Sequence, residues 1–309
     1  MSLDRRTFLA ALGGALATPL LASCGVSSPA THVIASGERG GFQSEFANLL
    51  AAAMSSGPIR LTQRNTRGSI ENMGLLTSGQ VSFGLSLGDV AVARPAGLAA
   101  VGRVYENYVQ FAVPGDSTVE TFSDLRGQRV SLGARGSGTE FTGHRVLEAA
   151  GMTTDDILVT PVSLTDVLRS LADGTVAAAM WAGGVPTPSA IPRPGYGPPS
   201  GIRLLDLSAE LAVLRKTFGP LYEPVSVPAD MYGAHAETAT IGVPSMLLTT
   251  PGTDGDAVSA VVDVMIDRAA ELIPPGTVGV QFLDTQSLIQ VYGLPLHPAA
   301  AEAYRRHHG

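Results

Sequence analysis

Two glycine-rich segments bring backbone amides and short hydroxyl side chains together. One reads Gly37-Glu38-Arg39-Gly40-Gly41-Phe42-Gln43 and the other Gly133-Ala134-Arg135-Gly136-Ser137-Gly138-Thr139, and each leads from a short apolar stretch into a helical pattern. A helix start leaves about four backbone N–H groups without intrahelical partners and carries a partial positive charge. An anion binds there without a lysine. Gly136 and Gly138 allow close backbone approach, and Ser137 and Thr139 add two hydroxyl donors, which suits a carboxylate or phosphate. An ordinary tight turn with a capping serine is the alternative, because the lysine of a Walker loop is absent. Ser69 offers an N-cap hydroxyl to a further helix, with Asn72 on its first turn.

The residue patterns of several enzyme classes are missing. No Gly-x-Ser-x-Gly elbow surrounds Ser137, whose neighbours two positions away are Arg135 and Thr139. No His-Glu-x-x-His occurs, and the six histidines are scattered apart from His307-His308. His297, between Leu296 and Pro298, reads as a capping or packing residue, and Asp155-Asp156 as a helix start rather than a calcium loop. No catalytic residue, metal site or cofactor is therefore expected. The single cysteine, Cys24, permits neither an intramolecular disulfide nor a cysteine-based metal cage.

The elements that must hold these loops alternate between strand and helix. His32–Ser36, Ile59–Gln63 and Val81–Leu87 read as strands, with helices over Phe42–Met54 and Ser69–Ser78 between them. A second cycle runs through strands at Tyr108–Val113 and Arg129–Leu132 to a helix over Glu140–Ala150. This order argues for an α/β fold with parallel strands flanked by helices, in which such loops face the crevice at the carboxyl ends of the strands. Composition agrees: 45% hydrophobic, 15% charged, 36 glycines and 21 prolines. The net charge of −7 and the lack of a basic patch disfavour nucleic acid as a partner. Arg305–His308 reads as a solvated helix tail.

The first 24 residues read as an export signal with a lipobox. Arg5-Arg6 and Phe8-Leu9 precede the uncharged stretch Ala10–Ala22, a pattern of the twin-arginine type that is too short for a comfortable membrane span. Leu21-Ala22-Ser23-Cys24 resembles the bacterial lipobox, whose cysteine is acylated, so Cys24 is expected to carry a lipid anchor. Residues 25–30 would be a flexible tether.

Several separated motifs occur in order: Asn65 to Asn72 (NTRGSIEN), LLTSGQVSFGLSLGD ending at Asp89, Tyr105-Glu106, FAVPGDS, DLRGQRVSLGARGSGT, VLEAAG, and Leu294 to Pro298 (LPLHP). Together they resemble the TAXI family of solute receptors, the binding subunits of one branch of TRAP transporters. The resemblance implies a two-lobed, periplasmic-binding-protein-like (type II) α/β fold that closes on a glutamate-like or dicarboxylate anion and serves a TRAP-type membrane partner. One lobe would comprise residues 31–109 and 245–309 and the other 110–244, hinged near Gln110–Val113 and Thr240–Val243. Gly40, Gly41, Phe42, Thr66, Ser69, Asn72 and Asp89 would line one wall, and Gly136, Ser137, Gly138 and Thr139 the other. Ser69, Asn72, Ser137 and Thr139 would donate to a carboxylate, while Asp89 would accept from an ammonium or hydroxyl. Arg67 and Arg135 are counter-charges or solvated side chains, and Trp181 reads first as a core anchor and second as a flank of the cleft. The first loop departs from the family pattern, with Phe42 in place of a tyrosine, so it lacks that hydroxyl donor. The competing readings are an enzyme on the same fold, similar to a pyrimidine synthase, and a sensor subunit of a membrane kinase.

Overall fold

The computed structural model describes residues 29–95, 97–233, 236–279 and 282–308. The export signal, Cys24 and most of the expected tether lie outside them. Ala30 already pairs with Ile59, so the first strand begins one residue inside that tether.

The strands are β1 (Ala30–Ala35), β2 (Ile59–Arg64), β3 (Phe83–Leu87), β4 (Ala99–Pro114), β5 (Arg129–Ser131), β6 (Leu158–Val159), β7 (Ala178–Gly183), β8 (Ile202–Leu204), β9 (Glu223–Val227) and β10 (Thr238–Thr249). They form one sheet in the order β2-β1-β3-β10-β4-β7-β5-β6, with β8 also pairing β4 and β9 also pairing β10. The outer stretches, β2-β1-β3 and β7-β5-β6, are parallel, as the strand–helix alternation implies. The middle is different: β10 runs antiparallel to both β3 and β4, and β4 antiparallel to β7. Helices cover the sheet: α1 (Phe42–Ala53), α2 (Ser69–Thr77), α3 (Gly88–Ala93), α4 (Gly138–Ala149), α5 (Val167–Ala172), α6 (Ser208–Phe218), α7 (Gly255–Asp267), α8 (Thr285–Leu288) and α9 (Pro298–His308). In α1 the buried residues Phe42, Phe46, Leu50 and Ala53 recur at helical spacing and join the core around Phe83, Leu85 and Tyr105. At the start of α9, His297 Nδ1 accepts from Ala299 N at 3.2 Å, the capping role expected of it.

The segment read as a six-residue strand at Tyr108–Val113 is the end of the 16-residue strand β4. Its polar residues hid its length; Arg103, Glu106, Asn107 and Gln110 each find at least one partner inside the protein, although Arg103 Nε, Glu106 Oε1 and Asn107 Oδ1 have none among the described residues. Asn107 donates to Val243 O at 3.1 Å, and Gln110 accepts from Tyr232 Oη at 2.5 Å. Arg103 bonds Glu106 at 2.9 Å and lies 3.4 Å from the centre of the Phe282 ring. The segments Gln110–Val113 and Thr240–Val243 lie within β4 and β10, next to the opposed pair Val109 and Ile241.

Burial pushes the Glu106 carboxyl up from 4.5 to about 7, against the lowering effect of Arg103, while the Glu223 carboxylate adds to the rise. Tyr108 and Tyr292 are the other titratable groups that feel it. The folded chain therefore holds this proton more tightly than the unfolded chain. Its contribution to stability is full below pH 4.5 and is lost as pH rises to about 7. The loss is up to about 3 kcal/mol. Denaturant melts between pH 5 and 8 are expected to show this decline in the wild type, and Glu106→Gln is expected to flatten it.

Candidate ligand cleft

The loops that leave the carboxyl ends of the parallel strands converge on one cleft, which encloses about 580 Å³ of atom-free space including the open solvent at its mouth. Gly37, Glu38, Gly41, Phe42 and Gln43 come from the β1–α1 connection, Arg67, Gly68 and Ser69 from β2–α2, and Leu87 from the end of β3. Facing them are Gly133, Ala134, Ser137, Gly138 and Thr139 from β5–α4, Val162, Leu164 and Val167 from β6–α5, and Met180, Trp181 and Ala182 on β7.

Two helix starts meet across this space. Ser137 caps α4, its Oγ accepting from Glu140 N at 3.0 Å. Gly68 precedes α2, and a Cβ built on it would lie 3.8 Å from Gly138 N. A Cβ on Gly138 would lie 2.8 Å from Ser69 Cβ and against Ser69 Oγ, so only glycine allows this approach. Ser69 Oγ accepts from Leu87 N at 2.9 Å, which leaves its proton to donate. Among the described residues, the amides of Ser69 and Gly138 have no hydrogen-bond partner.

Eight of the expected residues line the cleft: Gly41, Phe42, Arg67, Ser69, Ser137, Gly138, Thr139 and Trp181. Phe42 stands edge-on to Tyr105 at 4.6 Å and packs on Gly184, where a Cβ would lie 2.8 Å from Phe42 Cγ. Trp181 meets both of its readings, since it borders the cleft, is 3% exposed and packs edge-on against Tyr232 at 5.8 Å. Arg67 is already engaged: its Nε and its backbone N–H both donate to Glu71 Oε2 at 3.0 Å, and its side chain is 66% exposed.

The other six do not line it. Asn72 spends both amide hydrogens on Ser36 O at 2.5 Å and Leu85 O at 2.7 Å, and its oxygen accepts from Thr66 Oγ1 at 2.6 Å. Thr66 Oγ1 in turn accepts from Gly68 N at 3.1 Å, so the pair braces the start of α2 and leaves Asn72 no proton for a ligand. Arg135 is exposed outside the cleft, and Gly40 and Gly136 shape their loops with positive φ. Asp89 is fully buried behind the cleft. Its Oδ2 accepts from Thr142 Oγ1 at 2.8 Å and Tyr222 Oη at 3.1 Å, and its Oδ1 from Val90 N at 2.8 Å. Arg145 donates to the same Tyr222 oxygen at 3.0 Å. Burial raises the Asp89 carboxyl, and the bond from Thr142 and the nearby Arg145 charge oppose that rise. Fully buried, held by three protein donors and absent from the cleft lining, Asp89 does not face a ligand ammonium.

Sequence reasoning missed Glu38, Gln43 and the apolar wall of Val162, Leu164, Val167 and Met180. Glu38 stood in a loop already singled out. Val162, Leu164 and Val167 follow the two-residue strand β6, too short to carry a pattern, and Met180 lies on β7.

A mixed α/β sheet with helices on its faces and a cleft at the carboxyl ends of its parallel strands defines the type II periplasmic-binding-protein-like fold. The chain belongs to the NMT1-like family, whose sequence pattern matches residues 43–307. This match overturns the resemblance to TAXI receptors and removes the ground for a TRAP-type partner. The motifs behind that resemblance are largely glycine turns and helix starts, which serve related folds equally well. A structure from Bordetella bronchiseptica RB50 is similar with a TM-score of 0.55 at 12% identity, covering 91% of this chain and 99% of that one. Tv2483 bound to L-arginine aligns with a TM-score of 0.51 at 12% identity, over 82% of this chain and 93% of its own. The periplasmic aliphatic sulphonate binding protein SsuA from Escherichia coli gives 0.47 at 16% identity, over 90% and 79%. The reading of a solute-binding protein rather than an enzyme agrees with this family and fold.

Proposed function

We propose that this protein is an extracytoplasmic solute-binding protein that captures a small organic anion in the cleft and presents it to a membrane transporter. The observation that carries the reading is the meeting of α2 and α4, which approach from opposite ends of the sheet with their amino termini facing each other. Two partial positive charges and the hydroxyls of Ser69, Ser137 and Thr139 favour one anionic group between them. In this reading residues 31–109 with 245–309 form one lobe and 110–244 the other, and β4 and β10 carry the hinge. Arg5-Arg6, the apolar stretch behind them and the lipobox support export and acylation at Cys24.

The test is native mass spectrometry of the chain starting after Cys24, with a thermal-shift panel of glutamate, glutamine, 2-oxoglutarate and C4-dicarboxylates. A co-purifying small acid, or stabilisation by one panel member, is expected and names the class. Silence in both assays defeats the reading. For the acid that responds, replacing Ser137 and Thr139 together by alanine is expected to weaken binding roughly ten-fold or more, from loss of hydrogen bonds to a charged group. Calorimetric titration measures it.

A further inference from the structure

Among the described residues, Glu38 supplies the one carboxylate in the cleft wall. Its Oε2 accepts from Leu164 N at 2.5 Å, a bond from the β1–α1 loop to the opposite wall. Among the described residues no arginine, lysine or histidine lies within ion-pair distance of it, although Arg39 is adjacent in sequence and Arg67 lines the same cleft. Desolvation pushes its carboxyl up, and the nearby Asp166 carboxylate pushes the same way against the Leu164 amide. A partly buried carboxylate without a counter-charge is unfavourable, and it repels an anion brought into its own cleft. A cation on the ligand removes both costs.

We infer that Glu38 is a specificity-determining residue that selects ligands carrying an ammonium group together with the anionic group held at the starts of α2 and α4. The inference rests on the anion-receptor reading and narrows it: the preferred ligand is a zwitterion or amino acid-like anion. Leu164 N fixes one carboxylate oxygen, and the other is left to accept from the ligand. The walls between, Val162, Val167, Met180 and Trp181, suit the carbon chain that joins the two charges.

Matched pairs test this in calorimetric titrations: L-glutamate against glutarate, γ-aminobutyrate against butyrate, and taurine against ethanesulfonate. The wild type is expected to bind the amino member of at least one pair more than ten-fold tighter. Glu38→Gln keeps an oxygen for Leu164 N and is expected to collapse that preference to within about three-fold, as the charge-assisted bond is lost. A variant with unchanged melting behaviour and an unchanged preference overturns the assignment. Equal binding of both members of every pair by the wild type overturns the inference alone. Binding of no member of any pair overturns the inference, and overturns the anion-receptor reading with it only when native mass spectrometry and the thermal-shift panel are silent too.

Discussion

Gly138→Val is expected to hold the cleft open and to weaken ligand binding roughly 10–100-fold. A Cβ at this position would lie 2.8 Å from Ser69 Cβ, against Ser69 Oγ, and 3.2 Å from Leu87 Cδ1. None of these atoms moves easily, because Ser69 begins α2, is buried, and is tied to Leu87 N. Overpacking of this kind costs about 1–3 kcal/mol even where neighbours yield, and each 1.4 kcal/mol is about ten-fold in affinity. The backbone at 138 is ordinary for a helix start, so α4 itself tolerates the side chain. Small-angle scattering with the acid that stabilises the wild type is the measurement: the wild type compacts, and the variant keeps its larger radius while melting as a folded protein. Compaction of the variant with undiminished affinity would show that the two helix starts need not meet.

The second large effect is at Asp89, and it is on stability. Asp89→Ala removes the acceptor shared by Thr142 and Tyr222 and leaves both hydroxyls and the Arg145 guanidinium around an empty centre. Breaking a buried, hydrogen-bonded charge network costs about 3–5 kcal/mol. Tyr222→Phe removes one donor to Asp89 and the acceptor of Arg145 but keeps the carboxylate, and is expected to cost less, about 1–3 kcal/mol. Urea denaturation separates the two, and equal effects would show that the carboxylate contributes only through Tyr222. These bonds join α3, in one proposed lobe, to α4 and Tyr222 in the other. The alanine variant is therefore expected to lose affinity as well as stability.

The helix starts were legible in the sequence because glycine, serine and threonine in a short run have few other uses between a strand and a helix. Ser137 caps α4, and Gly41, Ser69, Gly138 and Thr139 reach the cleft as expected. Asp89 and Asn72 failed for one reason: their partners are distant in the chain. Tyr222 lies 133 positions from Asp89, and Ser36 lies 36 from Asn72, distances at which periodicity carries no information. Polarity near a loop looked like availability to ligand, whereas both side chains were already committed. The length of β4 was hidden similarly, since Arg103, Glu106, Asn107 and Gln110 interrupt an apolar run that the fold nevertheless buries.

The place of β10 between β3 and β4 bears on how the chain is made. Ribosomal synthesis completes β3 at Leu87 and β4 at Pro114, yet the strand that joins them begins only at Thr238. For about 120 residues of elongation both strands present bare hydrogen-bonding edges, the arrangement most prone to pairing with foreign strands. Closing so distant a contact is also slow. The pairing that unites β3 and β4 can therefore form only once the chain has passed residue 238, and a chain ending before it lacks the strand that joins them.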